Sequence, residues 1–168
     1  MPNRANDWLR QAERDLEQAQ DSRQAARHEW ACFASHQAAE KAVKALHLHL
    51  GQEAWGHAVA RLLVDVPATA EASETLIEEG RVLDNFYIPA RCPNSHSEGA
   101  PFEHYGPLQS EEAIRYAREI LGLRPCSYGP VAMTSWPLSS IGPGEPSACT
   151  RRSSASGTSG RARVAIAA

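Results

Sequence analysis

The apolar and polar positions of residues 30–50 follow the 3.6-residue period of an α-helix. The small residues Ala34, Ala38, Ala42 and Ala45 form a seam, Ala39, Val43, Leu46 and Leu50 form an aliphatic stripe beside it, and His36, Glu40, Lys44 and His47 share the polar side. A seam of small residues lets another helix approach closely, and an aliphatic stripe provides burial. The pattern predicts the central helix of a bundle, with a polar side left for solvent, a ligand or a partner.

Four other segments have helical spacing, and proline, glycine and capping residues mark their ends. The first helix is expected over residues 6–27, the third over 57–66 and the fourth over 72–87, and the last is expected to begin at Ser110. Between the fourth and the last helix, residues 89–106 are rich in proline and glycine, which predicts a long loop. No segment has the two-residue period of a strand. The sequence predicts an all-α antiparallel bundle with one long proline-rich loop before its last helix.

The composition changes abruptly near residue 124. Residues 1–124 contain 13 basic and 19 acidic residues and all seven histidines, whereas residues 125–168 contain four arginines and one acidic residue. Nine serines, five prolines and five glycines are concentrated in this second part, which has no sustained apolar period. We therefore predict a helical domain over residues 1–124 and a disordered tail over residues 125–168. The tail has two interpretations: an unselected extension of the chain, or a weak nucleic-acid-binding arm.

Charge and cysteine spacing limit the function classes. The acidic balance of residues 1–124 argues against broad, sequence-independent nucleic-acid binding but is compatible with a small basic cleft. The four cysteines lack the spacing of a metal site or a disulfide framework, so we expect no metal and no cofactor. The sequence contains neither a signal peptide nor an apolar run of the roughly 18 residues that a membrane span needs. These features predict a cytoplasmic protein that does not associate with a membrane.

Several blocks of the sequence occur in an order typical of one known family. They are NDWLRQAERDLEQA, HEWACFASHQAAEKAVKALHLHLG, His57 before a leucine-rich segment, LDNFYIPARCPN, and GAPFEHY before a glutamate-rich last helix. Over about residues 5–123 the chain resembles the HEPN domain (higher eukaryotes and prokaryotes nucleotide-binding). The resemblance implies a four- or five-helix up-and-down bundle, commonly a homodimer, that often acts with a small nucleotidyltransferase as a toxin–antitoxin pair.

Many members of this family are metal-independent ribonucleases with the pattern Arg-x(4–6)-His, which Arg91 and His96 match in this sequence. Cleavage of RNA by attack of its own 2′-hydroxyl needs a base, an acid and a fixed cation beside the phosphate. A histidine changes its charge near neutral pH, and the fork of an arginine fits a phosphate. The resemblance thus implies Arg91 as a phosphate clamp and His96 as an acid or base, with a dimer bringing two copies into one cleft.

Other interpretations of these residues stay open. Arg91 could cap the carbonyl end of the fourth helix or pair with an acid, His96 could be a solvated loop histidine, and His57 is expected to cap or pack at the start of the third helix. His36, Glu40, Lys44 and His47 could form a ligand site, or a solvated or dimer-facing surface. Glu98 replaces the tyrosine that accepts AMP in nucleotidyltransferase-silenced members, so that regulation does not carry over. The alternative function is a non-catalytic module that binds a nucleotide or docks a nucleotidyltransferase.

Overall fold

A computed structural model describes residues 4–67, 70 and 72–123. The six α-helices of this part of the chain are α1 (Ala5–Gln24), α2 (His28–His49), α3 (Val59–Val64), α4 (Glu74–Asp84), α5 (Pro101–His104) and α6 (Pro107–Leu121). The described residues contain no strand, so the predicted all-α bundle is confirmed. None of these helices has a stretch that is both long and apolar enough to cross a membrane. The predicted disordered tail, residues 125–168, lies outside the described residues.

Helix α2 lies at the centre of the bundle, as its pattern predicted. Helices α1, α3, α4, α5 and α6 all contact it. Every alanine of the predicted seam is buried, as are Ala39, Val43 and Leu46 of the stripe, whereas Leu50 is half-buried. Because alanine side chains are short, neighbouring helices can approach α2 closely on this side.

Helices α1 and α6 complete the core and contact each other as well as α2. The buried residues of these two helices include Ala12, Leu16, Ala19, Ala113, Ala117, Ile120 and Leu121. At the start of α1, Leu9 is buried and Trp8 is half-buried. The core face of both helices follows the apolar period of an α-helix.

Helices α3 and α4 pack closely because a glycine stands at their contact. A Cβ atom on Gly80 would lie 3.1 Å from the backbone N and Cα of Ala60. Asp84, the last residue of α4, caps α3: its Oδ1 accepts from Val59 N–H at 2.6 Å and its Oδ2 from Ala60 N–H at 3.2 Å. Of the two roles expected for His57, capping is wrong, because a carboxylate distant in sequence satisfies the free amides, whereas packing agrees with the stacking of its ring on Tyr87.

The predicted proline-rich loop is present but contains helical turns. Helix α4 ends at Asp84, a 3₁₀ turn spans Pro93–Ser95, and α5 follows it. Helix α6 begins at Pro107 rather than at Ser110, because the fixed φ of proline suits the first helical position. Ser110 is buried, and its Oγ donates to the Pro107 carbonyl at 3.0 Å. The proline one turn earlier, rather than the local capping residue, therefore determines where α6 begins.

Candidate functional site

The polar side of α2 is buried, which corrects the expectation of a surface left for solvent. His36, Glu40, Lys44 and His47 have exposed fractions of 0%, 5%, 9% and 3%. The segment that begins at His57 and continues through α3 covers this side, together with the turns after α4. Periodicity reveals which residues share a side of a helix, but it does not reveal that a six-residue helix will cover that side. The role of these four residues in ligand binding stays a prediction.

Glu40 is the centre of the polar contacts on this side of α2. Its Oε1 accepts from Lys44 Nζ at 2.8 Å, and His57 Nδ1 lies 3.1 Å from Oε1 and 3.3 Å from Oε2. Lys44 Nζ also lies 5.7 Å from the ring centroid of Trp8. A buried carboxylate needs such cations and donors to offset its lost hydration. Glu40 therefore links α2 to the segment before α3.

The two buried histidines of α2 bind backbone carbonyls of the segment that crosses them. His36 Nε2 donates to the His57 carbonyl at 3.0 Å, and His47 Nε2 donates to the Leu62 carbonyl at 2.9 Å. Both bonds satisfy buried polar groups, and His36 Nε2 also lies 3.4 Å from Asp84 Oδ1. The two histidines thereby fix residues 57–62 on α2.

Tyr87 brings several candidate side chains to one aromatic ring. It is half-buried and lies in the turns that follow α4. The rings of His36 and His57 stack on it at centroid distances of 4.9 Å and 5.1 Å, and Cζ of Arg91 lies 4.9 Å from its centroid. Sequence analysis missed this role of Tyr87. Its position four residues before Arg91 could have indicated the contact, because such residues meet along a helical turn.

Arg91 is exposed and held from two sides. Its Nε donates to the Tyr87 carbonyl at 2.9 Å, and its Cζ lies 5.1 Å from the ring centroid of Phe33 on α2. Among the described residues, no carboxylate forms an ion pair with it. The carbonyl-binding interpretation of Arg91 is therefore the one observed, just beyond the end of α4. Contact with a phosphate stays a prediction.

His96 is half-buried and bound, so the interpretation as a solvated histidine is wrong. Its Nε2 donates to the Pro89 carbonyl at 2.8 Å. Its ring is stacked on that of His104 at 4.0 Å and meets the ring of Tyr105 edge-on at 6.1 Å. These contacts hold the loop after α4 against the end of α5. A catalytic role of His96 stays a prediction.

The structure does not join the two residues of the Arg-x(4–6)-His pattern directly. Within the described part of the chain, Arg91 and His96 share no hydrogen bond, ion pair or ring contact. Two other imidazoles share the ring of Tyr87 with Arg91: that of buried His36 and that of His57, whose side chain is 59% exposed. Sequence reasoning assigned His57 only to capping or packing, since its carboxylate partner lies 17 residues away on α2.

A second polar cluster lies between α4 and α6. Burial, together with the neighbouring Glu119 carboxyl, raises the pKa of Glu79 from 4.5 to about 7. Arg115 Nη1 lies 3.7 Å from Glu79 Oε1 and 3.0 Å from Glu119 Oε1. Glu79 Oε2 is buried without a hydrogen-bond partner in the described residues. Sequence analysis missed this cluster, although Glu79 falls between Leu76 and Leu83 on the apolar side of its helix.

Neither Cys32 nor Tyr105 has the properties of a nucleophile. Burial, with the charge of Glu29, raises the pKa of the Cys32 thiol to about 12, and a thiol of this kind is protonated and unreactive near neutral pH. Burial also raises the pKa of Tyr105. In the part of the chain that the structure describes, no group of three or more His, Cys, Asp or Glu side chains is arranged to hold a metal ion.

An open groove of about 440 Å³ lies between α1 and α2. Its lining includes Asp15, Gln18 and Ser22 of α1 and Trp30, Phe33, Gln37 and Lys41 of α2. Trp30 is 49% exposed, and its ring meets that of Phe33 edge-on at 6.1 Å. Because Phe33 also contacts Arg91, the groove adjoins the exposed guanidinium.

Three solved structures are similar to this chain. TT1696 from Thermus thermophilus is 48% identical, with a TM-score of 0.71 over 73% of this chain and 96% of that chain. ST0689, an archaeal HEPN homologue, is 40% identical, with a TM-score of 0.59 over 72% and 93%. The HEPN domain protein tm0613 from Thermotoga maritima is 32% identical, with a TM-score of 0.55 over 68% and 90%.

A family comparison leads to the same assignment. No curated protein matches the sequence. The family model described as HEPN domain, however, matches residues 5–124. This range is nearly the same as the one over which the sequence blocks resemble that domain. The chain belongs to the HEPN domain family.

Proposed function

We propose that this HEPN-domain protein is a homodimer that binds RNA through Arg91 and cleaves it without a metal ion. We further propose that it is the toxin half of a cytoplasmic toxin–antitoxin pair whose other member is a nucleotidyltransferase. The single observation that carries the proposal is the setting of Arg91, an exposed guanidinium held in place without a carboxylate beside it.

The contacts of Arg91 suit the binding of a phosphate. Only its Nε is bonded, to the Tyr87 carbonyl, and its terminal nitrogens make no hydrogen bond with the described residues. The rings of Phe33 and Tyr87 limit the positions that the guanidinium can take. A fixed arginine fork binds two phosphate oxygens at once and stabilises charge that grows on them during cleavage.

His96 supplies the imidazole that the proposal needs, and a dimer supplies two of them. Because its Nε2 donates to the Pro89 carbonyl, the Nδ1 atom is the one that can exchange a proton with RNA. One arginine and one histidine per chain would make a sparse active site. A cleft shared by two protomers would contain both an acid and a base.

The test is cleavage of RNA by nuclease-free protein in the presence of a chelator. We expect Arg91→Ala and His96→Ala each to lower the cleavage rate by about a hundredfold or more, since a fixed cation and an acid–base group each contribute at this level. Arg81→Ala is the matched control, because Arg81 is an exposed arginine paired with Glu78. Circular dichroism should give the same spectrum for all variants. Intact RNA with the wild-type protein would refute the enzymatic proposal.

The second candidate is a non-catalytic module that binds a nucleotide or docks a nucleotidyltransferase. The groove between α1 and α2 favours it, because the half-exposed Trp30 offers a ring on which a base could stack. Titration with ATP or with a nucleotidyltransferase, followed by tryptophan fluorescence, tests this candidate. Saturable binding without RNA cleavage would favour it, and Trp30→Phe should remove the signal while affinity changes little.

A further inference from the structure

We infer that His57 is the general base that takes the proton from the RNA 2′-hydroxyl, and that Glu40 is its positioning residue. The inference rests on the proposed function and adds two residues that lie outside the Arg-x(4–6)-His pattern. It starts from a contrast between two histidines: the Nε2 atom of His96 is bonded to a carbonyl, whereas the imidazole of His57 is exposed on one side and held on the other.

Three contacts fix His57. Its backbone carbonyl accepts from buried His36 at 3.0 Å, its Nδ1 lies 3.1 Å from Glu40 Oε1, and its ring stacks on Tyr87 at 5.1 Å with 18° between the planes. Backbone, ring edge and ring face are therefore all constrained, while 59% of the side chain remains exposed. A histidine that serves only packing has no need of a buried carboxylate behind an exposed ring.

The carboxylate of Glu40 determines which ring nitrogen can act as a base. An acceptor beside Nδ1 keeps the proton on that nitrogen, so the lone pair of a neutral imidazole lies on Nε2. The described residues provide no hydrogen-bond partner for Nε2. After proton transfer the negative charge of Glu40 stabilises the imidazolium, as the carboxylate does in Ser-His-Asp triads. Lys44, at 2.8 Å, holds Glu40 in place.

The base and the phosphate clamp share one aromatic ring. His57 stacks on Tyr87 at 5.1 Å, and Cζ of Arg91 lies 4.9 Å from the same ring centroid. The contacts of both groups with one ring limit their separation, and the inference places an RNA phosphate on the terminal nitrogens of Arg91 with the 2′-hydroxyl at the exposed edge of His57. Proximity of this kind lets one group orient the substrate while the other moves a proton.

The proposed step balances without a metal or an oxidant. The 2′-hydroxyl proton moves to His57 Nε2 as the 2′-oxygen forms a bond with phosphorus. The bond between phosphorus and the 5′-oxygen breaks, its electron pair stays on that oxygen, and protonated His96 supplies the proton. The products are an RNA end with a 2′,3′-cyclic phosphate and an RNA end with a 5′-hydroxyl. Arg91 stabilises the charge on the other phosphate oxygens.

The experiment measures kcat, KM and RNA affinity for His57→Asn, His57→Ala and Glu40→Gln in the presence of a chelator. Asparagine can still donate to Glu40 but cannot take up a proton, so His57→Asn should lower kcat by about 10² to 10⁴ with RNA affinity unchanged. Added imidazole should restore part of the activity of His57→Ala but not of His57→Asn, where the side chain occupies the space. Glu40→Gln should lower kcat by at least about tenfold with KM unchanged.

His28→Asn is the matched control, since His28 is half-buried and bonded to Ser110 at 2.9 Å, away from these contacts. It should retain wild-type kcat, and thermal melting should establish that every variant is folded. If His57→Asn cleaves RNA like the wild type while Arg91→Ala does not, the inference is overturned and the proposed function stands. If the wild-type protein leaves RNA intact, the proposed function fails, and the assignment of His57 fails with it.

Discussion

Glu79 provides a sharp test of the packing between α4 and α6. Glu79 is 7% exposed, one of its carboxyl oxygens is buried without a hydrogen-bond partner in the described residues, and Glu119 lies beside it. Replacing it by glutamine keeps the shape of the side chain and removes its ability to ionise. We therefore expect Glu79→Gln to change the pH dependence of stability rather than the fold.

The magnitude follows from the raised pKa. The pKa of Glu79 rises from 4.5 to about 7, and each tenfold change in proton affinity corresponds to about 1.4 kcal/mol, so ionisation in the folded protein costs about 3 kcal/mol. Between about pH 4.5 and pH 7 the unfolded chain has released this proton and the folded chain retains it. Stability contributed by protonated Glu79 therefore falls as the pH rises through this range and changes no further above it.

Urea unfolding followed by circular dichroism, at a series of pH values from about 4 to about 8, measures this effect. Glu79→Gln should differ little from the wild type near pH 4 and should be more stable by about 1–3 kcal/mol near pH 8. Glu78→Gln is the matched control, because Glu78 is an exposed neighbour paired with Arg81. Loss of this exposed ion pair should change the free energy of unfolding by less than about 1 kcal/mol at any pH. Parallel curves for Glu79→Gln and the wild type would refute the reasoning.

Two further predictions concern the contact of α3 with α4. Gly80→Ala should lower the free energy of unfolding, measured by urea titration, by about 1–2 kcal/mol. The reason is that the clash of the new Cβ with the backbone of Ala60 outweighs the gain in helix propensity. A more stable variant would contradict the close packing. Asp84→Ala should lower the free energy of unfolding by about 1–2 kcal/mol in the same assay. It should also raise the rate of amide hydrogen exchange at Val59 and Ala60, because these amides lose their acceptor. Unchanged exchange at the two amides would contradict this assignment of the cap.

The sequence predicted correctly those features that depend on the periodicity of a single helix. The seam and stripe of α2 were identified because the helical period determines which residues share a face. The end of α4 and the start of α6 were misplaced by a few residues. At the start of α6 two local preferences competed, and the proline prevailed over Ser110.

The candidate site was harder to predict because its contacts join distant segments. Whether the polar side of α2 is open or covered depends on where residues 57–64 lie, and no period within α2 contains that information. The pairing of Glu40 with His57 and of Phe33 with Arg91 likewise requires the topology of the whole bundle. The motif identified Arg91, but its aromatic neighbours and the second imidazole became visible only in three dimensions.

The burial of Cys32 gives the protein an internal reporter of unfolding. A thiol with a pKa of about 12 in a close-packed interior does not react with alkylating reagents while the bundle stays closed. Modification of this sulfur therefore records transient opening of α2 away from its neighbours. Mass spectrometry of peptides containing Cys32, with half-buried Cys92 as the internal comparison, would turn alkylation rates into a measure of how often the core is exposed.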